Sequence, residues 1–184
     1  MNADSSAPSS NFTMFVAQIE SPDLRAVALH WNQGRRQKMM PAWRDIDATE
    51  IRGQLRMVWA YKYDCSSDSF TGRLAGEEIE RIFGRTFRGQ PMRELFPASE
   101  FKEMFHRHKR VVSEPSLFHG SGFVFRHLGR EGIGERIILP LAHDGIHCDG
   151  ILGATKYIYL AAELRERPSN IESVVEKEEF FPLI

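Results

Sequence analysis

Apolar positions along this chain change their period three times, and each change marks a new kind of element. Ser21-Pro22-Asp23 supplies an N-cap, a proline at the first helical position and an acid in the first turn. Leu24, Val27, Ala28 and Trp31 then fall at i, i+3, i+4 and i+7, which predicts a helix with one apolar face, stopped near Gly34. Trp31 is placed to pack that helix onto the core. Asp47 and Glu50 have capping-box spacing and predict a short second helix. From Leu55 the period drops to two. Met57, Trp59, Tyr61 and Tyr63 alternate with Val58, Ala60 and Lys62, and beyond a turn at residues 66–69 the alternation resumes with Phe70, Gly72 and Leu74. A β-hairpin is expected there.

Short helices follow at residues 77–83 and 93–96. The longest helical pattern comes next, with Ser99 as cap and Phe101, Met104, Phe105, His108, Val111 and Val112 on one face. Glu114-Pro115 ends it. Three strands are expected at residues 117–128, 135–142 and 147–159, with Asp144-Gly145 as a tight two-residue turn and Gly129, Gly132 and Gly134 marking a loop. Residues 1–20, rich in Ser, Ala and Asn, read as a mobile arm. Residues 21–160 read as one domain. Residues 161–184 read as a helical, acidic tail, interrupted by Pro168 and ending in Phe180-Phe181-Pro182-Leu183-Ile184, a candidate docking motif that could equally fold back on its own domain. A hairpin, a helical crossing and a three-strand meander define an α+β fold. It has an antiparallel five-stranded sheet with helices packed on one face, plus an N-terminal helix.

Composition narrows the partners. The 184 residues carry 24 basic and 25 acidic side chains, a formal net charge of -1, which argues against a dedicated nucleic-acid binder. Two cysteines fit a reduced cytosolic protein better than a disulfide framework. The opening residues lack the basic and apolar regions of a signal peptide, and no apolar run reaches bilayer length. A cytoplasmic protein without membrane attachment is expected.

The order strand, helices, strand is that of a PAS domain, and three segments sharpen the likeness. The first is Leu29-His30-Trp31 followed by Arg35, Pro41, Arg44 and Asp45-Ile46-Asp47. The second is Arg73-Leu74-Ala75-Gly76-Glu77-Glu78-Ile79 with Phe83-Gly84-Arg85 and Gly89-Gln90. The third runs from Glu135-Arg136-Ile137-Ile138-Leu139-Pro140-Leu141-Ala142 through Asp144-Gly145 and Asp149 to Ile151-Leu152-Gly153-Ala154. In order and spacing they resemble a family of small, mostly single-domain bacterial PAS proteins, over about Leu24 to Ala154. The resemblance implies a PAS-like fold, a cytoplasmic location and a role in signalling. It brings no agreed ligand or catalytic residues, so no cofactor is assigned.

Candidate chemistry centres on His108, which the helical period places between Phe105 and Val112 on the apolar face. In PAS domains the corresponding helix borders an internal pocket, where an imidazole could serve as a polar group or an axial ligand. It could equally be a core histidine bonded to backbone. Trp59, Tyr61, Phe123 and Phe125 lie in expected strands and Phe105 on the long helix. Together with His108 they are the candidate ligand pocket, or else they simply fill the core.

Other patterns offer less. His143-Asp144-Gly145-Ile146-His147-Cys148-Asp149 has metal-like composition, but a two-residue turn would send its two imidazoles to opposite faces. No CxxC pair, nucleophile elbow or phosphate loop is present. Arg107 to Arg110 reads as a short solvated basic face. The pattern therefore points away from an enzyme and towards a sensory module that binds a small ligand and signals to a protein partner. A ligand-free interaction module is the alternative. Pairing through N-terminal helices leaves a homodimer open.

Overall fold

The computed structural model describes residues 10–127, 130–160 and 176–183, with the side chains of residues 125–131, 159 and 160 outside the description. Its centre is a six-stranded sheet in the order β2-β1-β5-β4-β3-β6, antiparallel throughout. The strands are β1 (Val58–Asp64), β2 (Ser69–Ala75), β3 (Ser116–His127), β4 (Arg130–Leu141), β5 (Gly150–Leu160) and β6 (Lys177–Pro182). Five helices accompany them: α1 (Ser10–Gln18), α2 (Pro22–Arg35), α3 (Glu77–Phe83), α4 (Met92–Leu95) and α5 (Ala98–Ser113).

Side-chain alternation splits the core into two layers. Val58 and Ala60 of β1, with Leu139 of β4 and Leu152 of β5, face α1 and α2. Their chain neighbours Trp59, Tyr61, Ile138 and Ile151 face α3, α4 and α5. Period-two geometry requires this division in strands covered on both sides. The helices of the central crossing lie on one face as expected, and the N-terminal helix takes the other. Ser21 caps α2, its hydroxyl accepting from the Leu24 amide at 3.4 Å, and the buried Trp31 indole donates to the Pro140 carbonyl at 2.8 Å.

Four local expectations are corrected. Residues 10–18 are helix α1 rather than part of a mobile arm, because Phe12, Phe15 and Ile19 form a sparse helical stripe that is wholly buried. Phe15 meets Phe181 edge-on at 5.6 Å. Residues 1–9 lie outside the described residues. Second, the described part of the tail is a strand: β6 pairs with β3 (Leu117 opposite Phe181) and extends the expected five strands to six. The remainder of the helical tail, residues 161–175 with Pro168, lies outside the description. Third, Asp144-Gly145 sits in a longer loop, since Leu141 pairs with Gly150. The Asp144 carboxylate accepts from the amides of Ile146 and His147, at 2.8 Å each. Fourth, the glycine-marked loop is mostly strand. Gly134 sits at a bulge where a Cβ would lie 2.0 Å from the Lys156 carbonyl oxygen, so the residue serves close backbone approach within the sheet.

Smaller differences follow the same logic. The short helix expected after Asp47 is a 3-10 helix, Arg52–Met57, and another 3-10 turn, Trp43–Asp45, precedes it. Ser99 lies inside α5, whose N-cap position is Pro97.

Candidate functional site

Three of the expected pocket residues converge beneath α5. Trp59 and Tyr61 project from β1 on the same face, two residues apart, and His108 comes down from α5 between them. Ring centroids of His108 lie 5.3 Å from Trp59, 5.6 Å from Tyr61 and 5.9 Å from Phe70. Gly153 makes room for the indole: a Cβ there would lie 2.2 Å from a Trp59 ring carbon. The Trp59 indole N–H donates to Thr155 Oγ1 at 3.0 Å, which fixes the ring.

His108 is 2 % exposed, and its Nδ1 lies 2.6 Å from the Met104 carbonyl oxygen. A carbonyl can only accept, so Nδ1 carries the proton and Nε2 the lone pair. Burial pushes the imidazole pKa down to about 3, against the Met104 hydrogen bond, with the nearby charges of Arg107 and Arg136 adding to the fall. The ring is neutral at physiological pH. Tyr61 is 2 % exposed and its hydroxyl has no hydrogen-bond partner among the described residues. Burial raises its pKa, so it remains a phenol and a donor.

The sequence reading missed the strongest charge in this space. Arg136 enters from β4, 8 % exposed. Its Nε donates to Thr155 Oγ1 at 3.1 Å, one terminal nitrogen donates to the Val124 carbonyl, and the other lies 3.9 Å from the Met104 sulfur. Burial lowers its pKa, opposed by Tyr157, to which it also hydrogen-bonds. A guanidinium keeps its charge at neutral pH all the same. The signal was a charged pair, Glu135-Arg136, opening an otherwise apolar strand. Strand alternation sends the two to opposite faces. The buried Glu135 carboxylate accepts from the Glu20 and Ser21 amides and from His119 Nε2, each at 2.7 Å. Burial alone would raise its pKa, and the bonds from His119, Ser21 and Glu20 together hold it below the ordinary value.

Trp59, Tyr61, His108, Arg136 and Tyr157 form the sheet and α5 side of an interior pocket, closed by Ile79, Phe83, Phe87, Phe96 and Met104. The cavity is about 20 Å³, room for about one water. A tetrapyrrole or flavin does not fit unless the covering helices move. Phe105 is absent from this lining; it is half-buried and meets Phe70 edge-on at 5.8 Å and Phe101 at a tilt at 5.5 Å. Phe123 lines a neighbouring groove with Arg107 and Glu103, and the Phe125 side chain lies outside the description. A larger cleft of about 580 Å³ opens beside Trp43, with Arg44, Lys62, Arg73 and His143 around it. Its polar groups are solvated, whereas those of the interior pocket are not. Solvated groups gain little from a ligand, so the interior pocket is the better candidate. Among the described residues, no group of three or more His, Cys, Asp and Glu side chains could hold a metal.

The basic run on α5 is only in part the solvated face that its composition suggests: Arg110 is exposed, Lys109 is half-buried and Arg107 is buried. Arg107 is 9 % exposed and pairs with Glu103 on its own helix, at 2.7 Å, and with Glu178 on β6. Arg110 lies over the Phe180 ring at 4.0 Å. Lys109 reaches Asp68 at 2.6 Å. The helix that roofs the pocket is thereby tied to the last strand of the sheet.

A family model described as a PAS domain matches residues 19–156, and the chain belongs to that family. PAS domains are a class of sensory and signalling modules. The structure of the PAS domain from Bordetella pertussis BvgS is similar, with a TM-score of 0.48 and 18 % identity over 67 % of this chain and 91 % of that one. No curated protein matches. Among the described residues, no helix is long and apolar enough to cross a membrane.

Proposed function

We propose that the protein is a non-enzymatic sensor that binds a small molecule in the interior pocket and passes the signal to a protein partner in the cytoplasm. The observation that carries the proposal is the Tyr61 hydroxyl, buried, protonated and without a partner among the described residues at the pocket wall. An unpaired buried hydroxyl costs about 1–3 kcal/mol, a cost that a bound ligand would remove. Ligand entry must displace the aromatic cover, since the cavity is only about 20 Å³. Displacement of α5 would be felt at β6 through the Arg107–Glu178 and Arg110–Phe180 contacts. Among the described residues β6 pairs only with β3, and a partner strand would add at its outer edge. Two free thiols suit a reducing compartment.

Native mass spectrometry of freshly purified protein, followed by a thermal-shift screen against a metabolite library, tests ligand binding. The expected result is a constant extra mass, or a compound that raises the melting temperature of the wild type but not of a Tyr61→Trp variant whose pocket is filled. A bare chain mass with no stabilising compound would overturn it. The small cavity favours one second reading, a ligand-free interaction module with a solid core that docks through β6 or pairs with a second copy of itself.

A further inference from the structure

Two arginines lie buried beside α5, and their surroundings differ. Arg107 has two carboxylates, Glu103 and Glu178. Arg136 is as deeply buried, yet among the described residues no carboxylate forms an ion pair with it. Its partners are the neutral Thr155 hydroxyl, Val124 carbonyl, Tyr157 and, at 3.9 Å, the Met104 thioether. A thioether is a weak acceptor. Buried charges are ordinarily paired, because an uncompensated ion in a low-dielectric interior is costly. The same pocket holds the unpartnered Tyr61 hydroxyl. A cation and a free donor thus face one space, and the rest of its wall is aromatic and aliphatic. That combination suits an occupant with one anionic end and an apolar body.

We infer that the pocket, once its aromatic cover is displaced, takes a small organic monocarboxylate, its carboxylate held by the Arg136 guanidinium and the Tyr61 hydroxyl, its apolar body lodged among Ile79, Phe83, Phe87 and Phe96. The inference rests on the sensor function proposed above and names its ligand class. Carboxylate and guanidinium match in shape and charge. A phosphate dianion would bring more charge than one guanidinium compensates, into a wall with few polar groups. Chloride would satisfy the cation and leave the apolar lining without an occupant. Neutral analogues of the same shape would leave Arg136 uncompensated.

Calorimetric titration of the full-length protein with sodium hexanoate and with hexanamide, at fixed sodium chloride, tests this directly. Hexanoate should bind the wild type and hexanamide should bind at least about tenfold more weakly. Arg136→Met should weaken hexanoate by about 10- to 100-fold, and Tyr61→Phe by about tenfold. Tyr61→Phe removes only a hydroxyl that has no partner, so its folding is secure if Arg136→Met proves unstable. Equal binding of hexanamide, equal binding of hexanoate by folded variants, or stabilisation by chloride alone would overturn the carboxylate assignment. So would a lack of hexanoate binding by the wild type. Neutral compounds that stabilise the wild type in the metabolite screen would then keep the sensor function standing without it, whereas a screen with no stabilising compound would remove both.

Discussion

Acidification isolates the buried state of His108. In the folded protein burial holds its pKa near about 3, against an ordinary value of 6.5. A folded pKa below the unfolded one means that the unfolded chain takes up the proton first as the pH falls. The associated stability is complete above about pH 7 and declines as the pH drops from 6.5 towards 3. At pH 5 the unfolded-state imidazole is protonated and the folded one is not. The deficit is about 1.5 pH units, or roughly 2 kcal/mol at about 1.36 kcal/mol per unit. Carboxylates contribute little above pH 5, so this window belongs to histidine. The assay is urea denaturation at pH 7.5 and 5.0 for the wild type and for His108→Gln, whose amide can still donate to the Met104 carbonyl. The wild type should lose about 2 kcal/mol more than the variant over this range. Parallel losses would show that His108 titrates in the folded state as it does in water, and the dry, neutral imidazole would be refuted.

Three further outcomes follow from the packing. Phe15→Ala should cost about 3–5 kcal/mol in urea denaturation, because its ring is wholly buried against Phe181 and the N-terminal core; a loss below about 1 kcal/mol would mean that α1 is not anchored. Glu135→Gln should lower stability at pH 7 by about 2 kcal/mol, by weakening its bonds to the Glu20 and Ser21 amides and to His119. Since the folded Glu135 pKa lies below its ordinary value, this difference should be full above that value and shrink as the pH falls below it. Gly153→Val should drive the Trp59 ring from its seat, shift tryptophan emission to the red and cost about 1–3 kcal/mol; an unchanged spectrum would place Trp59 elsewhere.

Local signals carried much of the fold. Ser21-Pro22-Asp23 and the Leu24–Trp31 stripe mark α2 because cap and period agree within one turn of chain, and β1 and β2 announce themselves by alternation across a short turn. What escaped depends on distant partners. β6 is rich in Lys and Glu and becomes a strand only because β3 offers it an edge. α1 hides because its anchor is a sparse stripe, Phe12, Phe15 and the following Ile19, while Met14 beside them is exposed. In the pocket, Trp59, Tyr61 and His108 were legible from period alone. Phe105 was not separable from them, since a three-residue step leaves it about 60° around the helix, enough to turn it onto Phe70. Arg136 was overlooked because β4 is covered on both faces, so a charge within it looks like an edge residue until the sheet is assembled. The length of the 142–149 loop depends on the Leu141–Gly150 pairing, which the Asp144-Gly145 turn signal outweighed in the sequence.

The proposed sensor reads the state of its pocket at β6 through α5. Hydrogen–deuterium exchange of the wild type, Ile79→Phe and the Ile79→Phe/Arg107→Gln double variant tests this most directly, because Ile79 is buried at the pocket wall and a phenyl ring there stands in for an occupant. Filling the pocket should change exchange at residues 177–182 by about threefold or more and leave the β1–β2 turn unaffected, with the change lost when Arg107 no longer holds Glu178. Unchanged exchange at β6 in a folded, pocket-filled protein would mean that β6 does not read the pocket.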